Sequence, residues 1–367
     1  MKKVILSGGG TGGHIYPAVS VAESLKKRFG DNVELLFVGA EGKMEMTLIP
    51  KLGYNIKGLT IAGLQRRLTW CNLLLPVQIL KSLVQARRLL KEFRPDVVAG
   101  FGGYASAPIL YMAQRMGIPT VIQEQNSYAG LVNKIVGKKA KSVCVAYDGM
   151  ERFFKPSKIV FTGNPLRSAF RNEGSIRKEA FAHYGLSEEL PTILILGGSL
   201  GTRTLNNMMK SWLLTLEGNA PVQVVWQTGR FYEQEMRQFL EQFPTKNIVM
   251  VPFIERMDYA YEVADLVISR SGACTVSELC LAGKATLFVP SPNVAEDHQT
   301  KNAMALVEKG AAQMVKDSEA VDSGISTALR MIGDKRLLAE LSRNIAKLAT
   351  PDAAERVADE IVKQIKA

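Results

Sequence analysis

The sequence predicts an α/β chain of two doubly wound domains, each a parallel sheet with helices on both faces. Three observations point there. Short apolar runs alternate with amphipathic stretches along the whole chain. The pattern stops at Gly163-Asn164-Pro165 and then starts again. Both halves open alike, with a buried-strand run leading into a glycine-rich turn: Val4-Ile5-Leu6-Ser7-Gly8-Gly9-Gly10 and Ile193-Leu194-Ile195-Leu196-Gly197-Gly198-Ser199. A length of 367 residues suits two domains.

In the first half, Val4–Ser7, Val33–Gly39, Val97–Ala99, Thr120–Ile122 and Ser142–Ala146 read as strands, being short, rich in Val and Ile, and bounded by Gly or Pro. Between the first two, His14–Phe29 sets Ile15, Val19, Ala22, Leu25 and Phe29 on one helical face, with Gly30 as C-cap. After a charged segment from Arg167 to Glu189, Thr192–Gly197, Val222–Gly229, Ile248–Phe253, Leu266–Ser269 and Thr286–Pro290 continue the strand series. Alternation of this kind predicts Rossmann-like domains over residues 1–163 and 164–350. The last helical stretch, Ala353–Lys366, fits either domain on pattern alone.

The formal charge is +11 and the sequence pI about 9.4, which favours an anionic partner without choosing among nucleic acid, anionic lipid and a phosphorylated small molecule. Cys71, Cys144, Cys274 and Cys280 form no CxxC pair, and only His14, His183 and His298 are present, so no zinc site is expected. Met1-Lys2-Lys3 runs directly into the first apolar stretch, so no secretory leader is expected either. No apolar run is long enough to span a bilayer.

The first glycine cluster, Gly8 to Gly13, lets the backbone turn tightly and approach a ligand, and the helix after it directs free N–H groups into the turn. Gly8, Gly10 and Gly13 also satisfy GxGxxG, with Glu41 after the second strand, so a dinucleotide site is one reading. Neither glycine turn ends in a Walker A triplet. His14 opens the helix, where the dipole favours neutral imidazole; it reads as a general base or as a histidine that caps the turn. Gly197-Gly198-Ser199-Leu200-Gly201 could cradle a diphosphate or simply connect strand to helix. Ser271-Gly272 precedes another helix, and Glu278, two turns in, suits a ribose diol or is a solvated glutamate. Gln299 and Asn302 share a helical face and suit sugar hydroxyls or water. Arg66, Arg67, Trp70, Leu73, Leu74 and Leu75 form a basic and apolar segment, followed by Val77, Ile79 and Leu80, that fits an anionic bilayer surface better than nucleic acid, for which the chain shows no motif.

Together these clusters resemble the MurG family of peptidoglycan synthesis. The likeness runs through Gly8–His14, Phe101-Gly102-Gly103-Tyr104-Ala105-Ser106, Glu124-Gln125-Asn126, Gly163-Asn164-Pro165-Leu166-Arg167, Gly197–Gly201, Arg270–Glu278 and Asp297–Asn302. It covers essentially the full length and outweighs the dinucleotide reading. It implies the GT-B architecture, with two Rossmann-like domains separated by a cleft. The first would bind acceptor and membrane, the second would bind UDP-GlcNAc, and residues 351–367 would pack back on the first. It implies that Glu278 binds ribose, Phe253 and Ile254 the uracil, Ser199 and Arg167 the diphosphate, and Gln299 and Asn302 the GlcNAc hydroxyls. Thr11, Gly12, Gly13, His14, Asn126, Ser271, Ala273 and Thr275 complete the implied donor set, while Gly13, Tyr104 and Asn126, with His14, line the acceptor side. Two departures stand out: Gln123 replaces the histidine that often precedes Glu-Gln-Asn, and His298-Gln299 stands where some members have two glutamines.

The implied reaction is an inverting transfer of GlcNAc from UDP-GlcNAc to the C4 hydroxyl of MurNAc in lipid I, giving lipid II. His14 is the candidate base, and no metal or cofactor is expected. The implied location is the cytoplasmic face of the bacterial cell membrane, with room for contacts to other cell-wall synthesis and division proteins. A related transferase acting on diacylglycerol shares the donor site. A sugar-nucleotide epimerase would need no amphipathic basic segment. A membrane-surface binding protein without catalytic activity would need no array of anion-binding helix ends.

Overall fold

The computed structural model describes residues 1–61, 75–166, 176–198 and 200–365, and of residues 75, 76 and 295 only the backbone. Arg66, Arg67, Trp70, Leu73, Leu74, Arg167 and Ser199, with the side chain of Leu75, lie outside the described residues. The chain divides into two compact units, Met1–Arg167 with Thr350–Ala367, and Ser168–Ala349.

Unit 1 runs β1 (Lys2–Ser7), α1 (Gly12–Phe29), β2 (Val33–Ala40), α2 (Glu45–Lys51), β3 (Asn55–Leu59), α3 (Leu75–Phe93), β4 (Val97–Gly100), α4 (Ala107–Arg115), β5 (Thr120–Glu124), α5 (Leu131–Gly137), β6 (Ser142–Val145) and β7 (Ile159–Phe161). Its sheet has the order β3-β2-β1-β4-β5-β6-β7, and all the pairings are parallel. The central strands are buried on both faces, which is why they read as unbroken apolar runs. The predicted stripe on α1 is the buried one: Ile15, Val19, Ala22 and Leu25 all lie in the core.

Unit 2 runs α6 (Arg177–Tyr184), β8 (Thr192–Leu196), α7 (Arg203–Leu213), β9 (Asn219–Gln227), α8 (Glu233–Gln242), β10 (Lys246–Val251), α9 (Met257–Val263), β11 (Leu266–Ser269), α10 (Ala273–Ala282), β12 (Thr286–Phe288), α11 (His298–Val307), β13 (Gln313–Met314), α12 (Ala320–Gly333) and α13 (Lys335–Ala346). Its parallel sheet has the order β10-β9-β8-β11-β12-β13. Trp226 is fully buried in its core, with the indole N–H donated to Asn206 Oδ1 at 3.0 Å, so the ring's polar edge is satisfied.

The chain then returns to unit 1 as α14 (Ala353–Val362). Val357, Ala358 and Ile361 join the cluster formed by Val4, Leu6, Ile15 and Leu25. The buried Glu360 accepts from Ser142 Oγ at 2.8 Å, and Arg28 pairs with Asp359 at 2.6 Å. Where the chain leaves unit 1 and comes back, Thr350 packs on Gly163; a Cβ at Gly163 would lie 1.9 Å from Thr350 Oγ1.

Three strands were not foreseen: β3, β7 and β13. All three are sheet edges, short or half polar. In β3, Asn55 to Leu59, only Leu59 is buried, so the period-2 signal is faint. In each sheet the first strand is flanked on both sides, β1 by β2 and β4, β8 by β9 and β11. At that point the strand order reverses, and the carboxyl ends of the strands open into a crevice suited to ligands.

Candidate active site

In unit 1 the predicted residues gather at the carboxyl ends of β1, β4 and β5. The Gly8–Gly13 turn follows β1, and α1 begins at Gly12 with Thr11 as an extended N-cap. His14, in the first turn, is partly buried. Its Nδ1 lies 3.0 Å from the Gly9 carbonyl oxygen and 3.3 Å from Thr11 Oγ1. A proton on Nδ1 donated to that carbonyl leaves the lone pair on Nε2. Burial holds the imidazole below its ordinary value of 6.5, against the smaller opposing effects of the Gly9 hydrogen bond and the charges of Glu124 and Glu45.

The turn after β4 closes over this histidine. Gly102 and Gly103 have φ of 86° and 76°, a region other residues enter at a cost. A Cβ on Gly103 would sit 2.4 Å from the Gly9 oxygen, and one on Gly102 would meet the His14 ring at 3.0 Å. Bare backbone is therefore what fits there. Tyr104 follows, its ring 3.4 Å from where Gly10 would carry a Cβ.

After β5, Asn126 donates from both its backbone N–H and Nδ2 to Glu124 Oε1, at 3.1 and 3.2 Å. The second Glu124 oxygen accepts from Gly130 N–H at 3.0 Å and Asn133 Nδ2 at 2.8 Å. Gln123 is buried and structural. It donates to Asn164 Oδ1 at 2.9 Å and accepts from Gln125 Nε2, and Asn164 Nδ2 donates back to the Gln125 carbonyl at 3.0 Å.

In unit 2 the predicted residues lie at the carboxyl ends of β8, β10, β11 and β12. The β8 turn is held by Gln227 Oε1 on Gly198 N–H at 3.0 Å and by Thr202 Oγ1 on the Gly197 carbonyl at 2.7 Å. Gly201 and Gly229 touch backbone to backbone; a Cβ on Gly229 would lie 2.0 Å from Gly201 N. After β11, Gly272 is the extended N-cap of α10, and Ala273 and Thr275 occupy its first turn. Ser271 Oγ donates to the Gln299 carbonyl at 2.8 Å, and Asn302 Nδ2 to the Ser271 carbonyl at 3.3 Å. Gln299 Oε1 accepts from Ser291 N–H at 2.8 Å. These bonds bring Ser271, Gln299 and Asn302 into one cluster, and His298 stands at the start of α11 beside them. Glu278 is half-buried and accepts from the Tyr261 hydroxyl at 3.4 Å. Burial and then that carboxylate push the Tyr261 phenol up. Phe253 is exposed under the Arg230 guanidinium, 4.8 Å from its ring centre. Ile254 is buried. Among the described residues no three of His, Cys, Asp and Glu gather as metal ligands would.

The glycosyltransferase family 28 N-terminal domain matches residues 4–145, and the corresponding C-terminal domain matches residues 192–357. A Parabacteroides distasonis protein named UDP-N-acetylglucosamine–N-acetylmuramyl-(pentapeptide) pyrophosphoryl-undecaprenol N-acetylglucosamine transferase is 52% identical, over 99% of this chain and 98% of its own length. A Bacteroides thetaiotaomicron protein of the same name is 50% identical, over 100% and 98%. The crystal structure of Acinetobacter baumannii MurG superposes with a TM-score of 0.78 at 32% identity, over 99% of this chain and all of that one. The chain belongs to glycosyltransferase family 28, and within it to the MurG family.

The two parallel-sheet units of this MurG-family chain match the GT-B architecture. The two family matches meet the strands closely: the first ends on the last residue of β6, the second begins on the first residue of β8 and runs into α14. Sequence reasoning gave no role to two carboxylates of unit 1. Glu124 orients Asn126, and its signal was available, as an acidic residue closing a fully buried strand. Glu45 reaches the Gly8–Gly13 turn from α2, and no local pattern marks it.

Proposed function

We propose that this chain transfers GlcNAc from UDP-GlcNAc to the C4 hydroxyl of MurNAc in lipid I, with inversion at the anomeric carbon and release of UDP. Unit 1 takes the acceptor and unit 2 the donor. His14 Nε2 accepts the hydroxyl proton as the new C–O bond forms and the anomeric carbon's bond to the diphosphate oxygen breaks. The observation that carries the reading is the His14 geometry: Nδ1 held on the Gly9 carbonyl, Nε2 left as the basic atom, and burial favouring the neutral ring.

On the donor side Glu278 binds the ribose, and Phe253 and Ile254 bind the uracil. Gln299 and Asn302 bind the sugar hydroxyls. The diphosphate is held by Arg167, Ser199 and the α10 N-terminus with Ser271, Ala273 and Thr275, where N–H groups and the helix dipole stabilise the leaving charge. Thr11, Gly12, Gly13 and Asn126 complete the donor contacts, and Gly13, Tyr104 and Asn126 face the acceptor. An apolar groove of about 440 Å³, lined by Ile79, Leu83, Tyr104, Tyr111, Leu131 and Ile135, supports a lipid-linked acceptor beside the glycine turn.

The enzyme acts as a peripheral protein at the cytoplasmic face of the membrane. Among the described residues no helix is long and apolar enough to cross a bilayer. Instead α3 turns Val77, Ile79, Leu80 and Val84 outward, with Arg87 and Arg88 exposed one turn on. An apolar surface bordered by cations suits anionic lipid.

The test is transfer of labelled GlcNAc to lipid I and, separately, to diacylglycerol. Lipid I is expected to gain the label, and His14→Ala to lose about 10²-fold or more in kcat while still binding UDP-GlcNAc. Label on diacylglycerol alone would overturn the acceptor. Near-normal turnover by His14→Ala would overturn the base.

A further inference from the structure

Gly9 and Gly10 share one peptide group, and both of its polar ends are engaged. Its carbonyl receives His14 Nδ1 at 3.0 Å, and its N–H donates to Glu45 Oε2 at 3.2 Å. A carboxylate, an amide and an imidazole therefore stand in line. We infer that Glu45 is a positioning residue for His14: it fixes the Gly9–Gly10 peptide and, through that peptide, the orientation and tautomer of the imidazole. The inference rests on the reading of His14 as the base.

Glu45 opens α2 and is 1% exposed. Among the described residues it forms no ion pair. Its partners are backbone amides, Gly10 N–H on one oxygen and Ala40 N–H on the other, the latter at 3.1 Å. A carboxylate drawn this far from water is kept only where such charge-assisted bonds compensate it. The niche is shaped for it. A Cβ on Gly9 would lie 2.1 Å from Glu45 Oε1, and one on Gly39 would lie 2.5 Å from Glu45 Cγ. Glycine at both positions leaves the room that the carboxylate fills.

The chemistry follows from polarisation. A carboxylate pulling on a peptide N–H makes the carbonyl of the same peptide a stronger acceptor. That carbonyl then holds the proton on Nδ1 and presents Nε2 as the lone pair, the role a third group plays in orienting a catalytic base. Glu124 is the other carboxylate whose charge reaches His14, but its oxygens are bonded to Asn126, Gly130 and Asn133 and not to the ring. Of these two carboxylates, Glu45 is the one linked to the imidazole through a shared group.

The experiment uses Glu45→Gln, His14→Ala and the double variant in the full chain. Kinetics with lipid I and UDP-GlcNAc are combined with ¹⁵N-histidine NMR of the ring nitrogens. With three histidines in the sequence, the His14 signals are those lost in His14→Ala. Glu45→Gln is expected to lower kcat by about 10–100-fold, the range seen when a partner that orients a functional histidine is removed, with KM for UDP-GlcNAc within about twofold. Its His14 signals should move from the pure Nδ1–H form toward a mixture of tautomers. On top of His14→Ala the substitution should cost less than about twofold, because a group acting through His14 has nothing left to act on. Losses that multiply in the double variant, an unchanged tautomer, or a Glu45→Gln protein that fails to fold or to bind UDP-GlcNAc would each overturn the inference and leave Glu45 a support of the fold. If His14→Ala itself stays active, the base reading falls, and the NMR arm still decides whether Glu45 sets the tautomer.

Discussion

A histidine that serves as a base must be neutral when its substrate arrives, and two opposed influences set that state at His14. Burial disfavours the imidazolium; the Gly9 carbonyl, Glu124 and Glu45 favour it; and burial is the larger effect, so the ring titrates below 6.5. The sign for the rate follows. As pH falls through that lowered value, Nε2 gains a proton and the base is lost; as pH rises past it, the free base is restored. The midpoint of the acid limb of kcat/KM is therefore expected below pH 6.5, and a pH profile of kcat/KM checks this. An acid limb above 6.5 would mean that His14 is held in its charged form instead. His14 could be singled out in the sequence because its type and its place after a glycine turn both speak of chemistry. Glu45 could not, because a glutamate at the start of a short helix is ordinary. What distinguishes it is the absence of side chains at Gly9 and Gly39, one before and one after a whole helix, brought together by β1 and β2 lying side by side.

Strands buried on both faces announce themselves, and the central strands of both sheets were read from their apolar runs to within a few residues. Short or half-polar edge strands do not, as in β3 with its lysine and asparagine, whereas the edge strand β10 was legible from its apolar run Ile248 to Val251. The turns that carry the candidate site were legible as glycine clusters, yet which glycine needs its missing side chain depends on what packs there, as Gly103 against the Gly9 carbonyl illustrates. Helix α3 is the clearest case of a surface that packing within the unit leaves unexplained. Val77 and Leu80 are each 64% exposed on it. Replacing both by Asp is expected to leave the fold and transfer to a detergent-solubilised acceptor intact, and to cut cosedimentation with phosphatidylglycerol vesicles. Each side chain that enters the lipid boundary contributes up to about 1.5–3 kcal/mol, roughly tenfold or more in partition. An unchanged pellet fraction would remove this face from the membrane reading.

Among the described residues the buried apolar side chains of each unit cluster with others of the same unit, and the last helix is assigned by which cluster it completes. Ile361 is fully buried in the cluster that includes residues of β1, α1 and β2. Ile361→Ala should destabilise unit 1 by about 2–5 kcal/mol, the usual cost of emptying a core isoleucine site. Native-state hydrogen exchange should then show faster exchange in β1, β4 and β5, with β8, β9 and β11 unaffected. Slowed or unchanged exchange in unit 1 would show that α14 adds nothing to it.

That helix also inverts the order in which the molecule can finish. A ribosome delivers most of unit 1 before unit 2, but the stretch that seals its α1 face leaves the exit tunnel only after all of unit 2. The segment 168–349 is continuous and can collapse as soon as it has emerged, while the earlier-made sheet must wait with Val4, Ile15 and Leu25 incompletely covered. The unit with the glycine turn and His14 is thus begun before unit 2 and completed after it. Its longest-range contacts, such as Arg28 with Asp359, close the fold.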